Sequence, residues 1–203
     1  MPKVEAIDQS KLLLVEGRDA YEFFNMLLKH LEISDIQIQN FGGIHELRPF
    51  LKVLINAPNF DSVQSIGITR DAEKDASAAF YSVHNSLKAA NIDNPSQVGQ
   101  ITTGKPQIGI YLLPDLDAAS GMLEDLCLNM LDTDAAIVCV EQYFQCLDNQ
   151  SIPPPRNFAK AKMMAFLASK PELKQRVGYA MNQNYWNWNH PCLDPLKDFI
   201  VRL

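Results

Sequence analysis

Apolar positions along the chain switch repeatedly between two periods. Lys11–Val15 is a short apolar run, the pattern of a buried parallel strand, and it stops abruptly at Glu16-Gly17. Tyr21, Phe24, Leu27, Leu28 and Leu31 follow at helical spacing, with Asp19 as the expected helix cap and Glu22 completing a capping box. Asp35–Phe41 alternates Ile36 and Ile38 with polar residues and predicts a second strand, broken by Gly42-Gly43. A helix from about His45 places Leu47, Leu51, Leu54 and Ile55 on one face, and Pro58-Asn59 ends it. Val63–Thr69 predicts a third strand, followed by a helix over Ala76–Ala90. Asn91–Pro106 reads as a loop, with a short strand near Val98–Thr102 as the alternative. Gln107–Leu113 is a further strand, and Ser120 is expected to open a helix carrying Met122, Leu123, Leu126 and Leu128. Helical periodicity continues from Asp134 to Leu147 and, after the stiff segment Ser151–Pro155, over Arg156–Ala168. An aromatic loop, Tyr185–Trp188, and an amphipathic stretch, Asp194–Leu203, close the chain.

Strands alternating with helices predict an α/β fold: a mostly parallel, Rossmann-like sheet with helices on both faces. Residues 1–147 form that domain in this reading, and residues 148–203 form a helical extension packed on it. The 203 residues suffice for one domain and an appendage. No apolar run approaches the roughly 20 residues that span a bilayer, and the first residues lack the apolar core of a secretory leader, so a cytoplasmic protein with no membrane contact is expected. Cys127, Cys139, Cys146 and Cys192 show no zinc spacing and read as reduced, packed thiols. His30, His45, His84 and His190 are scattered and form no ligand motif. A net charge of −6 leaves no basic face beyond Arg156, Lys160 and Lys162, which counts against a protein that holds DNA unaided by neutralising phosphates. It does not count against a metal site, where carboxylates are the ligands.

Sites in parallel sheets form at the carboxyl ends of strands. The residues there are Glu16-Gly17, Gly42-Gly43, Asp71-Ala72-Glu73 and Pro114-Asp115. If the first and third strands are neighbours, Glu16, Asp71 and Glu73 share one pocket. Gathered carboxylates raise one another's pKa, and a hard cation relieves the repulsion. Mg²⁺ takes a few carboxylate oxygens plus water and substrate phosphates. An acid-x-acid pair at a strand tip suits it, and Glu16 stands where a proton-exchanging carboxyl would act. Gly17, Gly42 and Gly43 would let backbone approach a substrate or ion closely. Each feature alone has a plainer reading. Glu16-Gly17 is then a solvated strand end, Asp71–Asp75 a charged helix start and Gly42-Gly43 a turn. Their joint order points to the metal site.

That order resembles the Toprim domain of topoisomerases, bacterial primases and OLD-type nucleases. Val15-Glu16-Gly17-Arg18-Asp19 matches its Glu-Gly motif, with Asp19 closest to the OLD-like branch, and Gly42-Gly43 matches the glycines after the second strand. Asp71-Ala72-Glu73 stands in the Asp-x-Asp position with Glu in the second place, which shifts the ligand oxygens by a methylene. Pro114 and Leu123-Glu124-Asp125-Leu126 are similar to features of small stand-alone bacterial Toprim-like proteins. The resemblance spans about Lys11–Leu131. It implies Mg²⁺ or Mn²⁺ on Asp71 and Glu73, with Glu16, Asp19 and Glu124 as further ligands. Glu16 would also be the acid/base, and a late lysine, Lys162 or Lys160, would steady transition-state charge.

Two functional classes follow. One is a metal-dependent phosphoryl-transfer enzyme, a nuclease acting on DNA or RNA, served by a separately encoded ATPase partner or acting as a homodimer. The other is a non-catalytic Toprim-like module that binds a metal, a nucleotide or a protein, which the acidic balance and the missing basic groove favour; the aromatic cluster Tyr185, Trp186 and Trp188 is its candidate interface, with packing against the sheet or helices as the plainer reading. A receiver-like domain with a phosphorylated aspartate fits less well, since Glu16-Gly17 is not an acid pair. No tyrosine-bearing strand-passage domain or zinc motif accompanies the site, which sets topoisomerase and primase chemistry aside.

Overall fold

Four apolar strands make the centre of the molecule: β1 (Lys11–Glu16), β2 (Ile36–Gly42), β3 (Ser65–Asp71) and β4 (Gln107–Leu113). The computed structural model of the chain describes residues 4–172 and 176–203. All four strands run parallel, in the order β2-β1-β3-β4. The sheet is buried on both faces, so β1 carries no alternation: Leu12, Leu13, Leu14 and Val15 are all fully enclosed. Leu13 and Val15 point to one core, Leu12 and Leu14 to the other.

The second core is covered by α2 (Ile44–Leu54) and α3 (Ala76–Ala89). The first lies under α1 (Gly17–His30), α4 (Leu123–Asn129), α6 (Phe158–Ala168), α7 (Val177–Ala180) and α8 (Asp194–Val201). Met163, Phe166, Leu167, Phe199 and Leu203 share that core with Leu13 and Val15, so the C-terminal segment packs directly on the sheet. Between α4 and α6, α5 (Ala135–Asn149) rides outside, with Val140 its buried residue. The chain is thus α/β and Rossmann-like, with an appended helical segment. Among the described residues no helix is long and apolar enough to cross a membrane.

Two glycines seat the C-terminal segment. Gly67 and Gly109 are register partners on β3 and β4. A Cβ on Gly109 would stand 2.7 Å from the Phe199 ring, and one on Gly67 would stand 2.5 Å from Leu203. The paired glycines are a slot in the sheet that Phe199 and Leu203 fill. Gly109→Val should therefore destabilise the protein by about 2–3 kcal/mol through overpacking. In thermal unfolding, Gly109→Val with Phe199→Ala should lose less than the sum of the two single changes. Full additivity would mean that the ring does not occupy the slot.

Local sequence cues set most boundaries, and two were displaced. Asp19 does not cap α1, because the helix begins at Gly17, immediately beyond β1. The helix expected from Ser120 begins at Leu123, where Asp125 accepts from the Met122 N–H at 2.9 Å. The stretch near Val98–Thr102 contributes only an antiparallel bridge, Ile101 to Gly109.

Candidate metal and phosphate site

The carboxyl ends of β1 and β3 are side by side, and Asp71 there is near enough to feel the charges of Glu16 and Glu73. Glu16 ends β1 at a register shift that brings it opposite Gly42. Its Oε1 accepts from the Ile44 N–H at 3.1 Å, at the start of α2. Its Oε2 faces the Arg70 guanidinium, with Nε at 3.5 Å, and has no hydrogen-bond partner. Burial outweighs Arg70 and the Ile44 N–H, and Glu73 adds repulsion, so the Glu16 carboxyl sits above the usual glutamate range.

Asp71 ends β3, and its Oδ1 accepts from the Leu123 N–H at 2.8 Å, at the start of α4. Burial, then the charges of Glu124, Glu16 and Glu73, push its pKa up to about 7 despite that bond. Glu124 is 7% exposed on the inner side of α4. Its carboxyl is raised chiefly by burial, to which the charges of Asp19 and Asp125 add, against the opposing pull of Lys160. Asp71 therefore feels Glu124, Glu16 and Glu73 together.

Glu73 is fixed by backbone. It holds a left-handed φ of +56°, unusual for a residue with a side chain. Its N–H and C=O exchange bonds of 2.7 Å with Gly121, while the Ala72 N–H donates to the Leu113 C=O at 3.0 Å. These bonds zip the loop after β3 to the loop after β4. The glycine that opens α1 and the one that ends β2 are fixed by one side chain. Gly17 and Gly42 adopt φ of +83° and +87°, and both N–H groups donate to Asn40 Oδ1, at 3.1 and 2.8 Å. Gly43 is different: its φ is −98° and a Cβ there would meet nothing within 4 Å, so glycine is not required at that position.

Asp19 faces the C-terminal segment. Its Oδ1 accepts from the Gly178 N–H at 3.0 Å, and it lines a cleft of about 370 Å³ with Glu124, Lys160 and Arg176. Lys162 is placed elsewhere, paired with Glu141 at 3.3 Å in a groove between α5 and α6 with Phe144, Pro154 and Phe158. Asp19→Ala should weaken the docking of α7 by about 1 kcal/mol, seen as faster amide exchange over Val177–Ala180. Asp19→Asn, which keeps the acceptor, should restore protection. Equal exchange in the two variants would sink the docking role.

The donor set at this edge is made of carboxylate oxygens, which suits a hard divalent cation. Among the described residues, no three His, Cys, Asp or Glu side chains are already gathered around one point that could hold an ion. Glu16 is turned to Arg70 and the Ile44 N–H instead. The fit to Mg²⁺ or Mn²⁺ lies in the uncompensated acid charge around Asp71 and in the Glu16 oxygen left without a hydrogen bond. Arg70 and Asn40 were not singled out by sequence reasoning. The local mark on Arg70 is its place between the apolar strand and an acid. Asn40 had no such signal.

No curated protein matches the chain. It is similar in fold to the crystal structure of hypothetical protein PH0156 from Pyrococcus horikoshii OT3, with a TM-score of 0.62. The identity is 16%, over 96% of this chain and 93% of that one, a likeness of fold alone. A family model described as protein of unknown function (DUF3226) matches residues 10–203, and the chain belongs to that family.

Proposed function

We propose that this chain is a Toprim-type, Mg²⁺- or Mn²⁺-dependent phosphoryl-transfer enzyme, a nuclease acting on DNA or RNA. The observation that carries the reading is Asp71. Its buried carboxyl, at the carboxyl end of a central parallel strand, is held at about 7 by burial and by three neighbouring acids. Such a cluster is costly without a cation and is relieved by one. Asp71, Glu73 and Glu124 would hold the ion. When bound, the ion would polarise a phosphoryl oxygen and offset the charge that develops on the leaving oxygen.

The chain's own residues do the remaining work. The Leu123 N–H fixes one Asp71 oxygen, so the other is free to face the ion. Glu73 is aimed by its pairing with Gly121. Glu16, with its carboxyl raised by burial, exchanges a proton with the leaving oxygen. Lys160, in the cleft with Glu124, supplies positive charge on the far side of the acids. The net charge of −6 favours delivery of the nucleic acid by a partner, such as a separately encoded ATPase.

A non-catalytic binding module is the second reading, and the engagement of Glu16 by Arg70 and Ile44 favours it. Incubating the purified protein with supercoiled DNA and with RNA, in Mg²⁺ and in Mn²⁺, separates the two. Cation-dependent cleavage that Glu16→Gln reduces by about 100-fold or more is expected, the scale of a general acid–base contribution. Cation binding without cleavage of any nucleic acid would establish the second reading.

A further inference from the structure

Arg70 is 6% exposed, among the least accessible charged side chains of the described residues. Its Nε approaches Glu16 Oε2 at 3.5 Å and donates to the Asp71 C=O at 3.2 Å. Its Nη1 is enclosed and has no hydrogen-bond partner. A guanidinium has five N–H donors in a planar fork, and burying one without an acceptor is unfavourable. The side chain lines a cleft of about 360 Å³ between α2 and α3, whose walls include Ile44, Ala78 and Ala79 and whose rim includes Lys74. Among the described residues, Lys74 forms no ion pair. Asp75, on the same rim, is engaged in capping α3, where it accepts from the Ala78 N–H at 3.0 Å.

We propose that this cleft is a subsite for a tetrahedral phosphate group, from a nucleic-acid strand or a nucleotide, with Arg70 at its floor and Lys74 at its rim. It rests in part on the metal reading above, because the acids decide when it is strong. Without a cation, Glu16 occupies Arg70 and Glu73 repels an anion. A cation that draws Glu16 toward Asp71 leaves the buried guanidinium without its counter-charge, and an anion replaces it. Cation and phosphate then bind with positive coupling, and each raises the other's affinity by the same factor. The arrangement places a substrate phosphate directly beside the carboxylates.

Sulfate is the probe, titrated into the full chain with and without Mg²⁺ at constant ionic strength, with free concentrations corrected for their pairing in solution. The Arg70 Nε–Hε signal by NMR and the heat of binding are the readouts. Sulfate should shift the Arg70 signal, and Mg²⁺ should tighten sulfate by about 10-fold, within the usual range of such couplings. Lys74→Met should weaken sulfate about two- to fivefold, as for one exposed charge contact. Arg70→Met alone leaves Glu16 unpaired and risks misfolding, so the decisive variant is Glu16→Gln with Arg70→Met. It removes the pair as a whole and should abolish sulfate binding. Sulfate that leaves the Arg70 signal unmoved, or binds the double variant as tightly as the parent, would overturn the subsite. Mg²⁺ titrated alone reads the acids separately. If it binds while sulfate does not, only the subsite falls. If sulfate binds at Arg70 while Mg²⁺ does not, the subsite stands and the metal reading falls. Competition identifies the source: a short oligothymidylate without terminal phosphates displaces sulfate if the group is a diester, and thymidine 5′-monophosphate does so if it is terminal. Displacement by neither would overturn the proposal.

Discussion

Asp71→Asn is expected to bind Mg²⁺ or Mn²⁺ about 100-fold or more weakly than the parent, beyond the ~10–100-fold typical of residues that merely orient a ligand. It should nevertheless be more stable than the parent at alkaline pH. The amide keeps the Oδ1 acceptor that the Leu123 N–H uses. What it removes is a buried carboxyl whose folded pKa, about 7, lies above that of the unfolded chain. Aspartate in the unfolded chain titrates near pH 4. A raised pKa means the folded state binds more protons than the unfolded state, so stability falls as pH rises. The contribution of Asp71 is full below about pH 4 and is lost as the pH climbs to about 7. Above that, both states are ionised and the penalty is constant. The variant escapes it, with a gain on the order of 1–3 kcal/mol at pH 8 and little gain at pH 4. Urea unfolding of both proteins across this range checks the sign. A variant less stable than the parent at pH 8 would mean that the Asp71 carboxylate is compensated in the folded state.

The second large effect concerns Arg70. Arg70→Met should destabilise the protein toward the lower end of the ~3–5 kcal/mol seen when one partner of a buried ion pair is removed. The lower end applies because the Glu16 side chain is 20% exposed and retains the Ile44 N–H. Adding Glu16→Gln should recover most of the loss, since a neutral amide needs no counter-ion. Arg70→Lys should recover only part of it, because an ammonium lacks the planar fork that reaches Glu16 and the Asp71 C=O together. Unfolding free energies of the parent, Arg70→Met, Glu16→Gln and the double variant form a double-mutant cycle. Additive losses would show that Glu16 and Arg70 do not depend on one another.

The strands and their order of use were legible because burial on both faces leaves an uninterrupted apolar run. Leu12–Val15 could end only at a sheet edge, and its edge residue is the acid that later meets Arg70. That Glu16 and Asp71 stand at one sheet edge followed from the rule that parallel strands present their carboxyl ends together, and β1 does lie beside β3, while each acid is held by its own partner, Glu16 by Arg70 and Asp71 by the Leu123 N–H. Other features were hidden because their meaning is non-local. Asp19 looks like a helix cap in sequence, yet its partner is the Gly178 N–H, a contact that only tertiary packing of α7 creates. Gly67 and Gly109 look like weak points in strands until the register pairs them and Phe199 fills the space. Arg70 reads as the polar end of a strand, whereas the sheet encloses it against α2 and α3. Lys162 shares its helix with Lys160, but only Lys160 lines the cleft with Asp19 and Glu124. Helical phase sets that difference, and two residues turn a side chain by about half a turn.

The acid cluster itself is tested most directly by titrating Mg²⁺ and Mn²⁺ into the protein at pH 7 by calorimetry, in two buffers of different ionisation heat. An Asp71 carboxyl at about 7 is half-protonated there, and an ion bound by it must expel that proton. The cluster predicts binding with release of at least roughly half a proton per ion, and loss of that release in Asp71→Asn. Binding without proton release, or no binding at all, would contradict it.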